Sequence, residues 1–400
     1  MKEISTSSFV INTTQLNAIS NNQLINTKKK NSIEEIKEQL KRTKTLEPLG
    51  EYESQVVPLE KELFENLNLE WGVDIISENI PLTDDKKYYC HLIRTANPDI
   101  NKDNFFLIHG FISSGMHFIC ILPYLIKRYN IFIPDTIGMG LSARPQVEFT
   151  SPIQCEDYFI NIYHVIIENI FFKNRFNVKE EYYLCGHSLG GFIASRYMLK
   201  YPKGIKKVLL LSPCGITDYH IKGTNMNPDD SNCLFCTKII FPSLFWPCKL
   251  RVQNFYRCCC FKNTIKRTYG KYVFNIDEDE IKKNKDGTKF IVDKRKIAEN
   301  LEKLAILSLD YPDDLYECIY YILTVPPPAA LLPIEIKLMK LNKKQIIFVF
   351  GRDDFMDKIG SYRLNKYNPD LYKVFTLRYG SHSFALENPK DLCLIINDFF

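Results

Sequence analysis

The chain has 400 residues, of which 45% are hydrophobic, so it is long enough to bury a substantial core. Its formal net charge is only +5, and no dense basic tract accompanies a recognition motif, which argues against a nucleic-acid-binding protein. No apolar segment is long enough to span a membrane, since the most apolar late stretch, residues 318–332, is interrupted by three consecutive prolines.

The first 49 residues differ in composition from the rest of the chain. They are rich in Asn, Ser, Thr and Lys, so we expect the extension 1–49 to be largely disordered. Within it, residues 32–40 are a candidate capped helix, because Ser32 is followed three residues later by Glu35. No signal peptide is expected, since no apolar segment follows the initial lysine.

Two early strands lead into loops that could border a site. A buried strand is predicted at residues 104–108, directly before His109-Gly110-Phe111, where glycine lets the backbone approach a substrate closely. A second strand at residues 131–134 leads into a loop with two glycines at 135–142, which we expect to shape the floor of a pocket. The glycine spacing is not that of a dinucleotide-binding fingerprint.

The most informative segment is an apolar strand at residues 182–186 that ends in the Gly-x-Ser-x-Gly turn Gly186 to Gly190. A helix-like apolar pattern follows this turn. On such an elbow the serine hydroxyl is held out at the carboxyl end of a sheet, ready to attack a carbonyl. Ser188 is therefore the predicted nucleophile, and the amides of Leu189 and Phe111 are the predicted oxyanion donors.

Residues 214–341 interrupt the alternation of strands and helices and are predicted to form a cap, inserted between the core segments 50–213 and 342–400. Residues 231–275 contain no Asp or Glu, whereas basic and aromatic side chains alternate there. Such a composition suits contact with a membrane surface; the alternative is an aromatic cap core with a solvated basic face. The candidate membrane-contact residues are Trp246, Lys249, Arg251 and Arg257.

Six of the thirteen cysteines lie in the same acid-free window. Without a secretory signal, a disulfide framework is not expected. Cys233 and Cys236 have the spacing of a zinc knuckle, but the adjacent thiols of Cys258, Cys259 and Cys260 do not supply a second one, so no metal is predicted. These three cysteines are candidates for S-acylation, with unmodified buried thiols as the alternative.

The acid and the base of a catalytic triad are predicted near the end of the chain, in the order that the elbow requires. A strand at residues 345–350 is followed by Asp353 and Asp354, and a strand at residues 373–377 precedes His382. Of the seven histidines, His382 is favoured as the base. His187 adjoins Ser188 in the sequence, and a side chain at that position of the turn points away from the nucleophile. Either aspartate could orient that histidine.

Four motifs together resemble the α/β-hydrolases: the His109 loop, the segment 135–142, the elbow at Ser188, and Asp354 with His382. The segments 141–145, 186–191 and 351–357 are similar to a lipid-acting branch that includes N-acylphosphatidylethanolamine lipases, cardiolipin deacylases and a lipid-droplet lipase co-activator.

This resemblance implies an α/β-hydrolase fold, with a mostly parallel central sheet flanked by helices and a mainly helical cap. It favours Asp354 as the acid. In the co-activator an asparagine replaces the nucleophile, so the presence of Ser188 favours a working hydrolase. His109, Gly110 and His187 are the candidate substrate-binding residues.

That branch also carries a His-x4-Asp sequence linked to acyl transfer to lysophosphatidic acid. Here His382 is followed by Glu387 instead, one methylene longer, which weakens the acyltransferase interpretation. Otherwise Glu387 is an acidic residue in the first turn of the last helix, where the helix dipole favours it.

The sequence therefore predicts a serine hydrolase that cleaves a fatty acyl ester or amide of a phospholipid or related lipid through an acyl-enzyme, without a cofactor. The alternatives are a lysophosphatidic acid acyltransferase, a non-catalytic lipase co-activator at a lipid surface, and an esterase or C–C hydrolase of the same fold. The expected partners are the lipid substrate and a membrane or lipid-droplet surface. We expect a cytoplasmic protein bound peripherally to such a surface, with mitochondria as the other compartment considered.

Overall fold

The computed structural model describes residues 36–38, 40, 43, 50–218, 281–283, 289–291, 293–311, 318–324 and 329–400. In these residues no helix has the length and apolar character needed to cross a membrane. The candidate membrane-contact and acylation residues lie outside the described ranges and stay predictions: Trp246, Lys249, Arg251, Arg257, Cys258, Cys259 and Cys260.

An eight-stranded sheet forms the centre of the fold. The described residues form this sheet and four further short strands. In chain order all the strands are β1 (Ile75–Pro81), β2 (Tyr89–Thr95), β3 (Asp103–Ile108), β4 (Tyr129–Pro134), β5 (Tyr182–His187), β6 (Ile205–Leu211), β7 (Ile281–Lys283), β8 (Lys289–Ile291), β9 (Leu323–Thr324), β10 (Ala329–Ala330), β11 (Ile346–Phe350) and β12 (Tyr372–Thr376). The sheet has the order β1-β2-β4-β3-β5-β6-β11-β12, and β7 with β8 and β9 with β10 form two small hairpins. Strand β2 runs antiparallel to both of its neighbours, and every other neighbouring pair in the sheet is parallel.

The central strands are apolar because both of their faces are covered. Every residue of β4, β5 and β11 is buried, which is the burial expected of parallel strands between two layers. The predicted strands at 104–108, 131–134 and 182–186 lie within β3, β4 and β5, and β12 begins one residue earlier than predicted. The prediction of a mostly parallel sheet is confirmed.

Helices cover both faces of the sheet. They are α1 (Gly50–Asn66), α2 (Leu122–Leu125), α3 (Pro152–Ile167), α4 (Leu189–Lys200), α5 (Lys294–Asp310), α6 (Ile319–Ile322), α7 (Glu335–Met339), α8 (Ile359–Tyr367), α9 (Phe384–Glu387) and α10 (Pro389–Phe399), with a 3₁₀ helix at Gly115–Ile121 and a π-helical turn at Glu168–Phe172. Of the segment predicted as cap, the described residues contain α5, α6, α7 and the two hairpins.

Two apolar cores lie on opposite faces of the sheet, as the alternation along β3 shows. Phe106 packs in one core with α3 and α4, and its neighbour Phe105 packs in the other with α1, α5 and α10. Part of the N-terminal extension joins the first core, because Ile36 and Leu40 are buried there. Residues 36–38 and 40 are helical and fall within the candidate helix 32–40.

A buried carboxylate, that of Glu335, joins the described residues near the two ends of the predicted cap. The amide of Glu335 donates to the carbonyl of Ile216 at 3.1 Å, and the Glu335 carboxylate accepts from the Asp218 amide at 2.9 Å. Arg363 of α8 donates to both oxygens of the same carboxylate, with Nε at 2.6 Å from Oε1. Burial raises the pKa of Glu335, although Arg363 opposes that shift. Residues 216–218 and Glu335, near the two ends of the predicted cap, therefore meet beside the helix that follows the Asp354 loop.

We expect Arg363→Met to lower the free energy of unfolding by about 3–5 kcal/mol, because it leaves the buried Glu335 carboxylate without its cation. Urea unfolding followed by circular dichroism measures the change. The control is Arg378→Met, which alters an exposed arginine and should change stability by less than about 0.5 kcal/mol. Equal stabilities of the two variants would contradict this role of the ion pair.

Candidate active site

Ser188 lies between the last residue of β5 and the first residue of α4. Its backbone angles are φ 54° and ψ −119°, a conformation that residues other than glycine rarely adopt. Its amide donates to the carbonyl of Leu211 at 2.9 Å, and its carbonyl accepts from the amide of Cys214 at 3.2 Å. The serine is thereby fixed at the carboxyl end of the sheet.

The glycines of the elbow are required by the close approach of backbone to backbone. A Cβ atom on Gly186 would lie 2.3 Å from the carbonyl oxygen of Gly190. A Cβ atom on Gly190 would lie 2.3 Å from the carbonyl oxygen of Ile108, in β3. A larger residue at either position would therefore push the helix away from the sheet and displace Ser188.

His382 and Asp354 form a hydrogen-bonded pair. The imidazole Nδ1 of His382 lies 3.0 Å from Oδ1 of Asp354, whose side chain is buried. The carboxylate also accepts from the Ser212 hydroxyl and from the Met356 amide. Burial opposes ionisation of Asp354, but His382 and these hydrogen bonds hold the pKa of its carboxyl below the usual value. The carboxylate therefore accepts a hydrogen bond from Nδ1–H of His382, which leaves the lone pair of Nε2 free to act as a base.

Asp353, the alternative acid, is exposed at its side chain. Its amide donates to the carbonyl of Gly380 at 3.0 Å. Among the described residues, the structure brings Asp354 and not Asp353 into hydrogen-bonding contact with His382.

His187 connects the elbow to the loop that carries His382. Its Nε2 donates to the carbonyl of His382 at 2.8 Å, which fixes the tautomer, and burial holds the pKa of this imidazole well below the usual value. Because His187 directly precedes Ser188, this bond ties the elbow to the loop that carries His382.

Two residues near the site were not predicted from the sequence. The ring of His117 stacks on that of His187 with centroids 4.0 Å apart, and burial lowers the pKa of His117 to about 3. Phe355 packs against His382 with centroids 4.5 Å apart while 46% of it stays exposed. A histidine in an apolar helix after the His109 loop, and an aromatic residue directly after Asp354, are the only signs that the sequence offers.

The predicted oxyanion loop passes directly against the nucleophile. A Cβ atom on Gly110 would lie 3.1 Å from the Cβ of Ser188. Leu189 is the first residue of α4, so its amide has no carbonyl acceptor within that helix. Ile112, next to Phe111, has a φ of 52°, which turns the loop sharply.

His109 links this loop to the segment 135–142. Its Nε2 accepts from the amide of Thr136 at 2.8 Å, and its Nδ1 donates to the carbonyl of Gly110 at 2.8 Å. Both ring nitrogens are thus bonded to backbone groups, and the side chain is fully enclosed. The structure places His109 as a connection between two loops.

Glu387 is the last residue of α9, and the final helix α10 begins only after it. Both of its carboxylate oxygens accept hydrogen bonds from Ser381, one from the hydroxyl at 2.5 Å and one from the amide. The expected interaction with the dipole of the last helix is therefore not the one seen. Glu387 instead holds the residue directly before His382.

One buried group in the described part of the chain has the donor types of a metal site, namely Glu60, His91 and Asp135, whose donor atoms all lie within 4.8 Å of one another. The Asp135 oxygens already accept hydrogen bonds from the amides of Gly115 and Leu141 and from Nδ1 of His91. Only Glu60 and Nε2 of His91 would remain to bind an ion, fewer than the three or four ligands of a zinc site. The group is therefore a hydrogen-bonded pair of His91 and Asp135 with the Glu60 carboxyl beside it.

A protein-family model described as alpha/beta hydrolase fold matches residues 103–231. The chain therefore has an α/β-hydrolase fold. The carboxylesterase CesB from Bacillus subtilis has a similar fold, with a TM-score of 0.52, 13% sequence identity, and coverage of 87% of this chain and 98% of that one. The resemblance drawn from the four motifs is confirmed.

Curated relatives match this chain over shorter segments. A (lyso)-N-acylphosphatidylethanolamine lipase from Homo sapiens is 30% identical over 122 residues, which are 30% of this chain and 33% of that protein. A 1-acylglycerol-3-phosphate O-acyltransferase from Arabidopsis thaliana is 27% identical over 111 residues, which are 28% of this chain and 25% of that protein. The matched segments thus span only about a quarter to a third of these relatives.

We expect Asp354→Asn to lower kcat for an ester such as p-nitrophenyl butyrate by about 10⁴-fold, because an amide stabilises the wrong tautomer of His382. Steady-state kinetics on the purified variant measure the loss. Asp353→Asn is the matched control and should stay within about twofold of the wild type. A larger loss in Asp353→Asn than in Asp354→Asn would show that the wrong aspartate has been assigned.

Proposed function

We propose that this α/β-hydrolase cleaves a fatty acyl ester or amide of a glycerophospholipid or related lipid, with Ser188, His382 and Asp354 as the catalytic triad. The observation that carries this proposal is the hydrogen bond from His187 to the carbonyl of His382, at 2.8 Å. It joins the strained serine elbow to the loop that holds the histidine and aspartate pair. A nucleophile, a base and an orienting acid then converge at one edge of the sheet.

In the proposed reaction, Nε2 of His382 removes the proton of Ser188 as its Oγ attacks the acyl carbonyl. The amides of Leu189 and Phe111 stabilise the negative charge that develops on the carbonyl oxygen. His382 then gives the proton to the leaving alcohol or amine, and the acyl group stays on Ser188. Water, deprotonated by His382, hydrolyses this acyl-enzyme and restores the free serine.

A lipid substrate is supported by the relatives and by the surroundings of His382. Both curated relatives carry names that include an acylated phospholipid or glycerol phosphate. The exposed ring of Phe355 offers an apolar contact beside the catalytic base, as a long acyl chain requires.

Acyl transfer is the second candidate, and the name of the Arabidopsis relative favours it. The two reactions differ only in whether water or the hydroxyl of a lysophospholipid attacks the acyl-enzyme. Glu387 does not favour transfer, since both of its oxygens are already bonded to Ser381.

The proposal is tested by labelling the purified protein with a fluorophosphonate probe and analysing a mixed phospholipid digest by mass spectrometry. We expect labelling and fatty acid release by the wild type and by Ser54→Ala, which alters an exposed serine, but not by Ser188→Ala. Acylated lysophospholipid in place of free fatty acid would favour the transferase. An unlabelled but folded wild type would favour a non-catalytic co-activator.

We further propose that the segment with Trp246, Lys249, Arg251 and Arg257 docks the protein on an anionic membrane or lipid droplet, aided by S-acylation of Cys258, Cys259 and Cys260. Changing the three cations to Gln should weaken sedimentation with phosphatidylserine vesicles, by about 1 kcal/mol for each charge removed. Lys61, Lys86 and Lys127, all exposed, are changed to Gln as the control. An equal loss in both variants would point to non-specific attraction.

A further inference from the structure

A buried chain of three ionisable side chains links helix α1 to the loop beside Ser188. Glu60 in α1, His91 in β2 and Asp135 after β4 are 1%, 4% and 0% exposed. Nδ1 of His91 lies 3.0 Å from Oδ2 of Asp135, and its Nε2 lies 3.9 Å from Oε2 of Glu60. Oε2 of Glu60 has no hydrogen-bond partner among the described residues. Glu60 and His91 precede the segment that matches the family, which begins at residue 103.

Asp135 fixes the far end of the predicted oxyanion loop. Its Oδ1 accepts from the amide of Gly115 at 2.6 Å, where the 3₁₀ helix after that loop begins. The near end is held by His109, which accepts from the amide of Thr136 at 2.8 Å. Both ends of residues 109–115 are therefore attached to the adjacent pair Asp135 and Thr136.

The charges of Glu60, His91 and Asp135 explain how Glu60 affects the environment of the Asp135 carboxylate. Burial opposes ionisation of Asp135, but His91 and the bonded amides hold the pKa of its carboxyl below the usual value. Burial raises the pKa of Glu60 to about 8. Burial also favours neutral His91, yet Glu60 and Asp135 raise the pKa of its imidazole. With a pKa of about 8, the Glu60 carboxyl carries a proton at neutral pH, and its ionisation at higher pH would add a second negative charge to the group that contains Asp135.

Among the described residues, the other charged or titratable groups near these three side chains are Tyr52, Glu53, Cys90, His109, Arg144 and Tyr163. Among them Glu53 is exposed, and Arg144 donates to the carbonyls of Gly138 and Gly140.

We propose that Glu60 and His91 are positioning residues for the oxyanion loop: they hold Asp135, which holds residues 109–115 against Ser188. This inference rests on the proposed serine-hydrolase function. Helix α1 then belongs to the catalytic unit, because it supplies Glu60, the residue of the three that is farthest from the oxyanion loop.

The first test does not depend on activity. Hydrogen exchange of peptides that cover residues 109–118 is compared in the wild type, Glu60→Gln, Glu60→Leu and the control Glu65→Gln, which alters an exposed residue of the same helix. We expect Glu60→Leu to exchange about tenfold faster in this loop, and Glu65→Gln to match the wild type. Glu60→Gln keeps the shape of the side chain and covers the case in which the leucine variant does not fold.

The second test measures the rate constant of fluorophosphonate labelling between pH 6 and 9. We expect the rate to fall about tenfold in Glu60→Leu, as the oxyanion donors lose their position. In the wild type the rate should decline as the pH rises through about 8, where the Glu60 carboxyl ionises. Glu60→Gln should lack this alkaline decline, because its amide does not ionise in this range.

Wild-type exchange and labelling in both Glu60 variants would overturn the proposal, and so would a stoichiometric metal ion in the purified protein. If the wild type is not labelled while loop exchange still responds to Glu60→Leu, the proposed hydrolase function fails and the positioning role stands.

Discussion

The close packing of backbone at the serine elbow is the constraint on which the rest of the site depends. Strand β5 turns into α4 within one residue, and the carbonyls of Ile108 and Gly190 occupy the space that side chains would need. A non-glycine residue in such a conformation costs on the order of 1–3 kcal/mol. The surrounding sheet offsets that cost, since β5 is buried throughout and both the amide and the carbonyl of Ser188 are hydrogen-bonded.

Around the elbow, the candidate catalytic residues and their neighbours are held by polar contacts that are at least partly buried. Asp354 is kept ionised by donors from three neighbours, and Ser381 is held by Glu387. In a low-dielectric interior such bonds are strong, whereas an unsatisfied group is costly. The geometry of the site is therefore set by contacts one residue away from the reacting atoms.

Much of the fold could be predicted because it follows from local pattern. Parallel strands covered on both faces are continuous apolar runs, and the order of Ser188, Asp354 and His382 follows from the elbow. The choice between Asp353 and Asp354 could not be made from the residues alone, because adjacent side chains on a loop differ only in direction. His117 and the group of Glu60, His91 and Asp135 were missed for a related reason. Their contacts join elements that are far apart along the chain, and no spacing in the sequence records such contacts.

The bond between the Glu335 amide and the Ile216 carbonyl brings the two ends of the insertion together at a single point. The span between those residues thus closes on itself, and the paths of β6 and β11 do not depend on how many residues it contains. Because closure entropy grows only slowly with loop length, segments of very different size could occupy this place at similar cost. The insertion can therefore diverge, or be exchanged for another, while the sheet and the serine elbow keep their geometry.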